Sequence, residues 1–311
     1  MLYLTQLKVS ISEMNDRGLT DMENKIKKRK SAIAKYCMIT PISLWMYLLV
    51  AIPFLYIIVI SFMNKGTYGG VVMKFTIQNY LDILNPLYIR TFLKSIGMSV
   101  AVTLICLLIA YPFTYFVAKK TPIQKTIFMS MIMIPFCVSM IIRLFLWVNI
   151  LRSEGIINNF LISAGLIKEP LKLVYNQTGA MIGLIYMLLP FMILPLYSSI
   201  EKLDKSLLEA ANDLGAKPIK SFLKITLPLT KPGIFAGCVM VFIPSMGLYF
   251  ITDLMGGSKT LVIGNLIKNQ FITARNWPLG AAMSVVLMLI TLAMLKGYQK
   301  AGGSMDDLSG M

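Results

Sequence analysis

Few side chains in this sequence are able to do chemistry, and their types restrict what that chemistry is. There is no histidine, which removes imidazole metal ligands, histidine-based triads and histidine proton relays together. The four cysteines, Cys37, Cys106, Cys137 and Cys238, lie in or beside apolar runs without a C-x-x-C spacing, so neither a zinc site nor a disulfide framework is indicated. The stretch GGSKT at 256–260 falls short of a phosphate loop because Ser258 separates Gly257 from Lys259. With no Walker-type sequence elsewhere, ATP hydrolysis by that chemistry would have to come from another subunit. Two charges are more informative. Asp253 closes an otherwise uncharged stretch next to Tyr249 and Phe250, and a carboxylate beside aromatic faces attracts an ammonium through Coulomb force and cation–π contact. The plainer alternative is a helix-terminal acid facing water or Arg143. Arg143 itself lies within an apolar run, seven residues after Phe136, and reads either as an anchor that snorkels toward the outer interface or as part of a path. No catalytic residue, cofactor site or metal site is expected.

The elements that must position these charges are membrane spans. The composition is 57% hydrophobic and 14% charged, with a mean hydropathy of +0.72, unlike a soluble domain. Residues 36–64, 95–118, 173–200, 232–252 and 276–295 carry no charge, and 126–151 is broken only by Arg143. A helix needs roughly 20 residues to cross ~30 Å of hydrocarbon. These runs predict an all-α integral membrane protein of six spanning helices. Pro112, Pro135, Pro190, Pro195 and Pro244 fall inside the runs and predict bends. Gly233, Gly237 and Gly247 predict close packing of the fifth span, read as 232–252. Between the spans, Phe75, Tyr80, Leu81 and Leu84 suggest a short amphipathic helix, 152–177 has an amphipathic middle, and 253–278 is apolar enough to dip back toward the membrane.

Residues 1–35 read as a basic tail without order, and no small-x-small cleavage site follows the first apolar run. The segment 36–62 is therefore expected to be a retained signal anchor. Met22 opens MENKIKKRK and reads as an alternative start. Residues 91–298 form the core and 299–311 a short tail. The formal charge of +16 invites a nucleic-acid partner, but its placement points to lipids instead. With the 201–231 segment in the cytoplasm, 19 Lys and Arg lie inside and 10 outside. This is the positive-inside bias, with both termini cytoplasmic, and anionic lipid head groups account for the basic flanks.

One polar segment interrupts the pattern: EAANDLGAKPIKSFLKITLPL, residues 209–229. Helix formers fill 207–214, Gly215 supplies a turn, and a second helical run begins near Ile219. A surface helix with Ala210 and Ala211 presents a flat face for another protein's groove.

Glu209-Ala210-Ala211, then three residues, Gly215, nine residues, and Ile225-x-Leu227-Pro228 resembles the EAA loop of the membrane subunits of bacterial ABC importers, at every position of that pattern. NPLY at 85–88, LLPFMILPLYSSIEKLDKSLLEAANDLGA at 188–216, LPLTKPGIFAGC at 227–238, MGLYFITDLMGG at 246–257 and NWPLGAA at 276–282 resemble the spermidine/putrescine branch of that family, over residues 36–298. The resemblance implies type I ABC importer permease architecture in the bacterial inner membrane. It also implies a dimer of ABC ATPase subunits, a second homologous permease subunit and an extracytoplasmic polyamine-binding protein. On this resemblance Glu209, Ala210, Ala211, Asp213 and Gly215 form the ATPase-coupling helix. Asp253, Tyr249, Phe250 and Arg143 are the candidate substrate path. Two other readings stay open: the same machine carrying an inorganic anion or iron, and an ion-coupled secondary transporter. The latter predicts several buried acids and inverted repeats.

Overall fold

In the computed structural model, the structure describes residues 38–257 and 260–300. The expected basic tail, Met22 and its surroundings, Ser258 and Lys259 of GGSKT, and residues 301–311 lie outside them.

The first unit of the chain is described through the helix α1, Met38–Ser61, whose last two residues belong to the second unit. Its side chains from Met38 to Val50 are all exposed, an uncharged and largely apolar surface suited to lipid. Tyr47–Ala51 within it is wound as a π-helix.

In the second unit the chain first makes a small antiparallel hairpin, β1 (Met63–Lys65) and β2 (Val71–Phe75), with Lys65 opposite Val71 and a register shift at Met63/Asn64. An all-helical reading missed it. Gly69 and Gly70 take positive φ of 98° and 79° in the five-residue turn, a conformation glycine adopts without steric cost. The short helix α2 (Gln78–Ile83) follows, so Phe75, expected in that helix, is in β2. Buried Asn79 of α2 donates to the Ser61 and Met63 carbonyls at 2.9 and 2.8 Å.

The remaining elements build the bundle. Helix α3, Pro86–Ala118, begins well before the uncharged run, because Asn85 caps it by accepting from the Leu87 amide and Pro86 fits the first turn. The third apolar run is not one helix. α4 (Pro122–Met133) opens on a capping box between Thr121 and Gln124 and tightens into a 3-10 turn at Ile134–Cys137. The chain then turns by 97° into α5 (Met140–Leu151) and α6 (Ile156–Ser163). α7 (Gln177–Glu201) runs unbroken through Pro190 and Pro195.

After the polar hairpin, α8 (Lys205–Asp213) and α9 (Pro218–Leu229), comes α10 (Lys231–Gly247), bent by 64° from α9. It has 17 residues and stops at Leu248, so the expected fifth span ends short of Thr252. The chain resumes as α11 (Tyr249–Met255), α12 (Ile263–Ile272) and α13 (Trp277–Lys300). The six apolar runs thus appear as four continuous helices and two bent pairs.

Residues Met98, Val102, Cys106 and Ala110 recur every fourth position on α3 and meet Leu184, Leu188, Met192 and Leu196 of α7 in the main core; positions four apart share a helix face. α7 and α10 touch almost backbone to backbone. A Cβ on Gly233 would lie 2.4 Å from Ser199 Cβ, and one on Gly237 2.6 Å from Met192 Sδ. Gly233 and Gly237 are four apart, the small-residue spacing that lets membrane helices approach closely. A second core joins α2, α3, α10, α12 and α13 through Ile83, Phe92, Met246, Ile263 and Met283. Through it part of the apolar 253–278 segment packs on the bundle: α12 buries Ile263, Gly264, Asn265 and Leu266.

Candidate functional site: an exposed hairpin and a guarded carboxylate

The polar hairpin folds as its residue types require. Asp204 caps α8, its side chain accepting from the Ser206 amide at 2.9 Å, and that bond holds its carboxyl below the ordinary carboxylate range. At the far end Ala216 N donates to Ala211 O and Gly215 N to Asn212 O, each at 2.9 Å. This is a Schellman motif with Gly215 at φ 73°. A Cβ there would meet nothing within 4 Å, so backbone conformation, not space, demands glycine at 215.

Glu209, Ala210 and Asp213 face outward, but Ala211 is buried at 7% exposure. The expected flat face of two alanines is therefore halved, because the helix turns Ala211 inward. The exposed apolar surface of the hairpin comes instead from leucine and isoleucine: Leu214 is 88% and Ile219 75% exposed, with Leu207 and Leu223 also out. The return leg α9 contains a π-helical turn at Phe222–Thr226, ahead of Pro228. Its Phe222 ring stands edge-on to Tyr111 and Tyr115 of α3, at 5.5 and 5.7 Å between centroids. Tyr111 also exchanges a 2.8 Å hydrogen bond with Thr230.

The Asp253 cluster differs from the expected lone carboxylate. Asp253 lies on α11, beyond the break at Leu248, and Lys268 of α12 forms an ion pair with its Oδ2. The Lys268 ammonium is also 5.4 Å from the Tyr249 ring centre. The predicted carboxylate-and-aromatic arrangement exists, and this chain's own lysine fills it. Asn265, 1% exposed, ties the cluster together: its amide group donates to Asp253 Oδ1, and its oxygen accepts from Thr252 and the Val262 amide. Phe250 packs against the main core.

Sequence reasoning missed Asn265 and Lys268. Their spacing of three puts both on one helix face, and the apolar Ile263 and Leu266 flanking them marked a helix. Arg143 does not join Asp253. It is 8% exposed, so it does not snorkel; its guanidinium lies 4.1 Å from the Phe136 ring centre, and Nε and Nη1 have no hydrogen-bond partner among the described residues. The 97° turn brings the two residues together.

A membrane-embedded bundle with two broken apolar segments and an outward-facing helical hairpin is the architecture of a solute-transporter membrane subunit. The chain belongs to the family of binding-protein-dependent transport system inner membrane components, whose model matches residues 110–297. Membership makes it a non-catalytic transport subunit, working with an ATPase and a substrate-binding protein. It is 45% identical over 264 residues to the spermidine/putrescine transport system permease protein PotB of Escherichia coli, covering 85% of this chain and 96% of that protein. It is 41% identical to the protein of the same description from Haemophilus influenzae, covering 83% and 90%. Among solved structures, a chain of the bacterial alginate ABC transporter crystallised with its alginate-pentasaccharide-bound periplasmic protein matches with a TM-score of 0.72 at 16% identity. That match covers 88% of this chain and 94% of that one, and it is a likeness of fold.

Proposed function

We propose that this chain forms half of the pore of an ATP-driven polyamine importer and pairs with a second, homologous membrane subunit. The observation that carries the cargo is the 45% identity to PotB across nearly its full length. An extracytoplasmic polyamine-binding protein delivers the cargo. The α8–α9 hairpin, with Glu209, Ala210, Asp213 and Gly215 and the exposed Leu214 and Ile219, docks in a groove of the ATPase dimer, and Ala211 packs it from inside. ATP binding draws the ATPases together, the hairpins follow, and the pore exchanges outward for inward access. Asp253 with Tyr249 and Phe250 lines the outer part of the path, where Lys268 must yield before a substrate ammonium reaches the carboxylate. Arg143 stands outside that cluster. The charge bias supports a cytoplasmic hairpin and cytoplasmic termini.

The test is uptake into vesicles holding the reconstituted complex. Labelled spermidine and putrescine are expected to accumulate with ATP and to compete with each other. Uptake of phosphate or iron with no polyamine uptake would overturn the cargo. For orientation, single cysteines at Ser206 and Ser163, both exposed, are expected to react from opposite faces; reaction from one face would reject it.

A further inference from the structure

Beside the coupling hairpin an open cleft of about 1240 Å³ lies between the start of α4, the end of α7 and the start of α10. On its wall Lys125 Nζ donates to both carboxylate oxygens of Glu201, at 2.8 and 3.0 Å. The Lys125 side chain is 16% exposed and that of Glu201 40%. Tyr197, one turn earlier on α7, and Ser130 of α4 face the same cleft.

Both charges occupy helix ends that disfavour them. Lys125 is in the first turn of α4, where the backbone amides create positive potential. Glu201 is the last residue of α7, where the carbonyls create negative potential. The pair cancels both penalties. If Lys125 withdraws, a carboxylate at the negative end of a 25-residue helix faces an open, mainly apolar cleft that also presents Ser130, Tyr197 and, beside Glu201, Lys202. That is a strong cation site. The lysine side chain is a primary ammonium on a four-carbon stem, the same chemical group that a polyamine presents at each end.

We infer that Glu201 is a cation site on the hairpin side of the transport path, held shut by Lys125, whose ammonium stands where an ammonium of the cargo would bind. The inference rests on the polyamine reading for the identity of the cargo alone. Lys125 is a tethered competitor. Cargo reaching Glu201 displaces it, and its return expels the cargo, which satisfies the requirement that a transport site bind weakly enough to release. Orientation with the hairpin in the cytoplasm makes this the exit.

The experiment is equilibrium binding of labelled spermidine to the assembled transporter in nanodiscs without ATP. Lys125→Met is expected to bind at least ten-fold more tightly than wild type and to import more slowly, because release is retarded. Lys125→Met combined with Glu201→Gln is expected to lose the gain, and Lys125→Arg, which keeps a cation on Glu201, to show none. If Lys125→Met does not assemble, Lys125→Gln carries the same expectation. Equal affinity for Lys125→Met with and without Glu201→Gln would overturn the site. Butylammonium separates the two proposals. If wild type fails to import spermidine yet Lys125→Met gains Glu201-dependent butylammonium binding, the cargo assignment falls and the cation site stands.

Discussion

Lys268 rests its ammonium on the Asp253 carboxylate, joining α12 to α11 across a 15-residue separation. Both side chains are about one-third exposed, so the pair contributes at most about 1 kcal/mol to stability and its loss should leave the complex assembled. Its effect is expected in transport. Lys268→Met frees the carboxylate and is expected to lower the KM for spermidine, whereas Asp253→Asn raises it several-fold. The double variant follows Asp253→Asn. Wild-type spermidine uptake by Asp253→Asn over the whole concentration range would remove Asp253 from the path.

Gly215 separates two kinds of damage at the hairpin. Gly215→Ala places a side chain in open space but in a left-handed backbone, a cost of about 1 kcal/mol, and uptake should persist at reduced rate. Gly215→Pro demands φ near about −65° and removes the amide that bonds Asn212, so the turn cannot form. ATPase activity in the reconstituted complex should then no longer respond to the loaded binding protein. Normal stimulation with Gly215→Pro would show that force does not pass through this hairpin.

The α7–α10 contact predicts a steep steric effect. Gly233→Val would drive a side chain into Ser199 Cβ and the Pro195 carbonyl, 2.7 Å from the new Cβ; overpacking of this kind costs about 1–3 kcal/mol. Gly97→Val, at a position with nothing within 4 Å, is the matched control. Thermal unfolding in detergent should show a Tm lowered by several degrees for the first and little change for the second. Equal Tm values would mean that the helices part without cost.

Arg143 carries a buried charge with two nitrogens unpartnered among the described residues, and such desolvation is expensive unless repaid. Arg143→Met keeps a long side chain against Phe136 without the charge, and is expected to raise the Tm of the chain purified alone. Arg143→Ala, which also loses the ring contact, should not. A fall in Tm with Arg143→Met would reveal that the guanidinium stabilises this chain by itself.

What the sequence made legible was whatever depends on local composition. The uncharged run at 173–200 located α7 to within a few residues, and Gly215 located the turn between α8 and α9. The 97° break was not legible, because proline is a poor guide: Pro135 precedes it, yet Pro112, Pro190 and Pro195 sit in unbroken helices. The break lies where Val138 adopts an extended backbone, at a position that nothing in the local composition marks. The burial of Ala211, the Lys268–Asp253 pair and the Lys125–Glu201 pair depend on which helices become neighbours, and charge spacing along the chain carries no record of that.

The hairpin's two legs lead into α7 and α10, which Gly233 and Gly237 let approach closely against Ser199 and Met192, and Phe222 is gripped by two rings of α3 as well. A pull at Leu214 therefore cannot be absorbed by sliding one leg past the other. Stiffness is concentrated in α3, α7 and α10. Beyond the breaks at Val138 and Leu248, α5 through Leu144 and Val148 and α11 through Ile251 and Met255 pack on the main core that α3 and α7 share, so displacement of the hairpin is expected to reach the segments that carry Arg143 and Asp253.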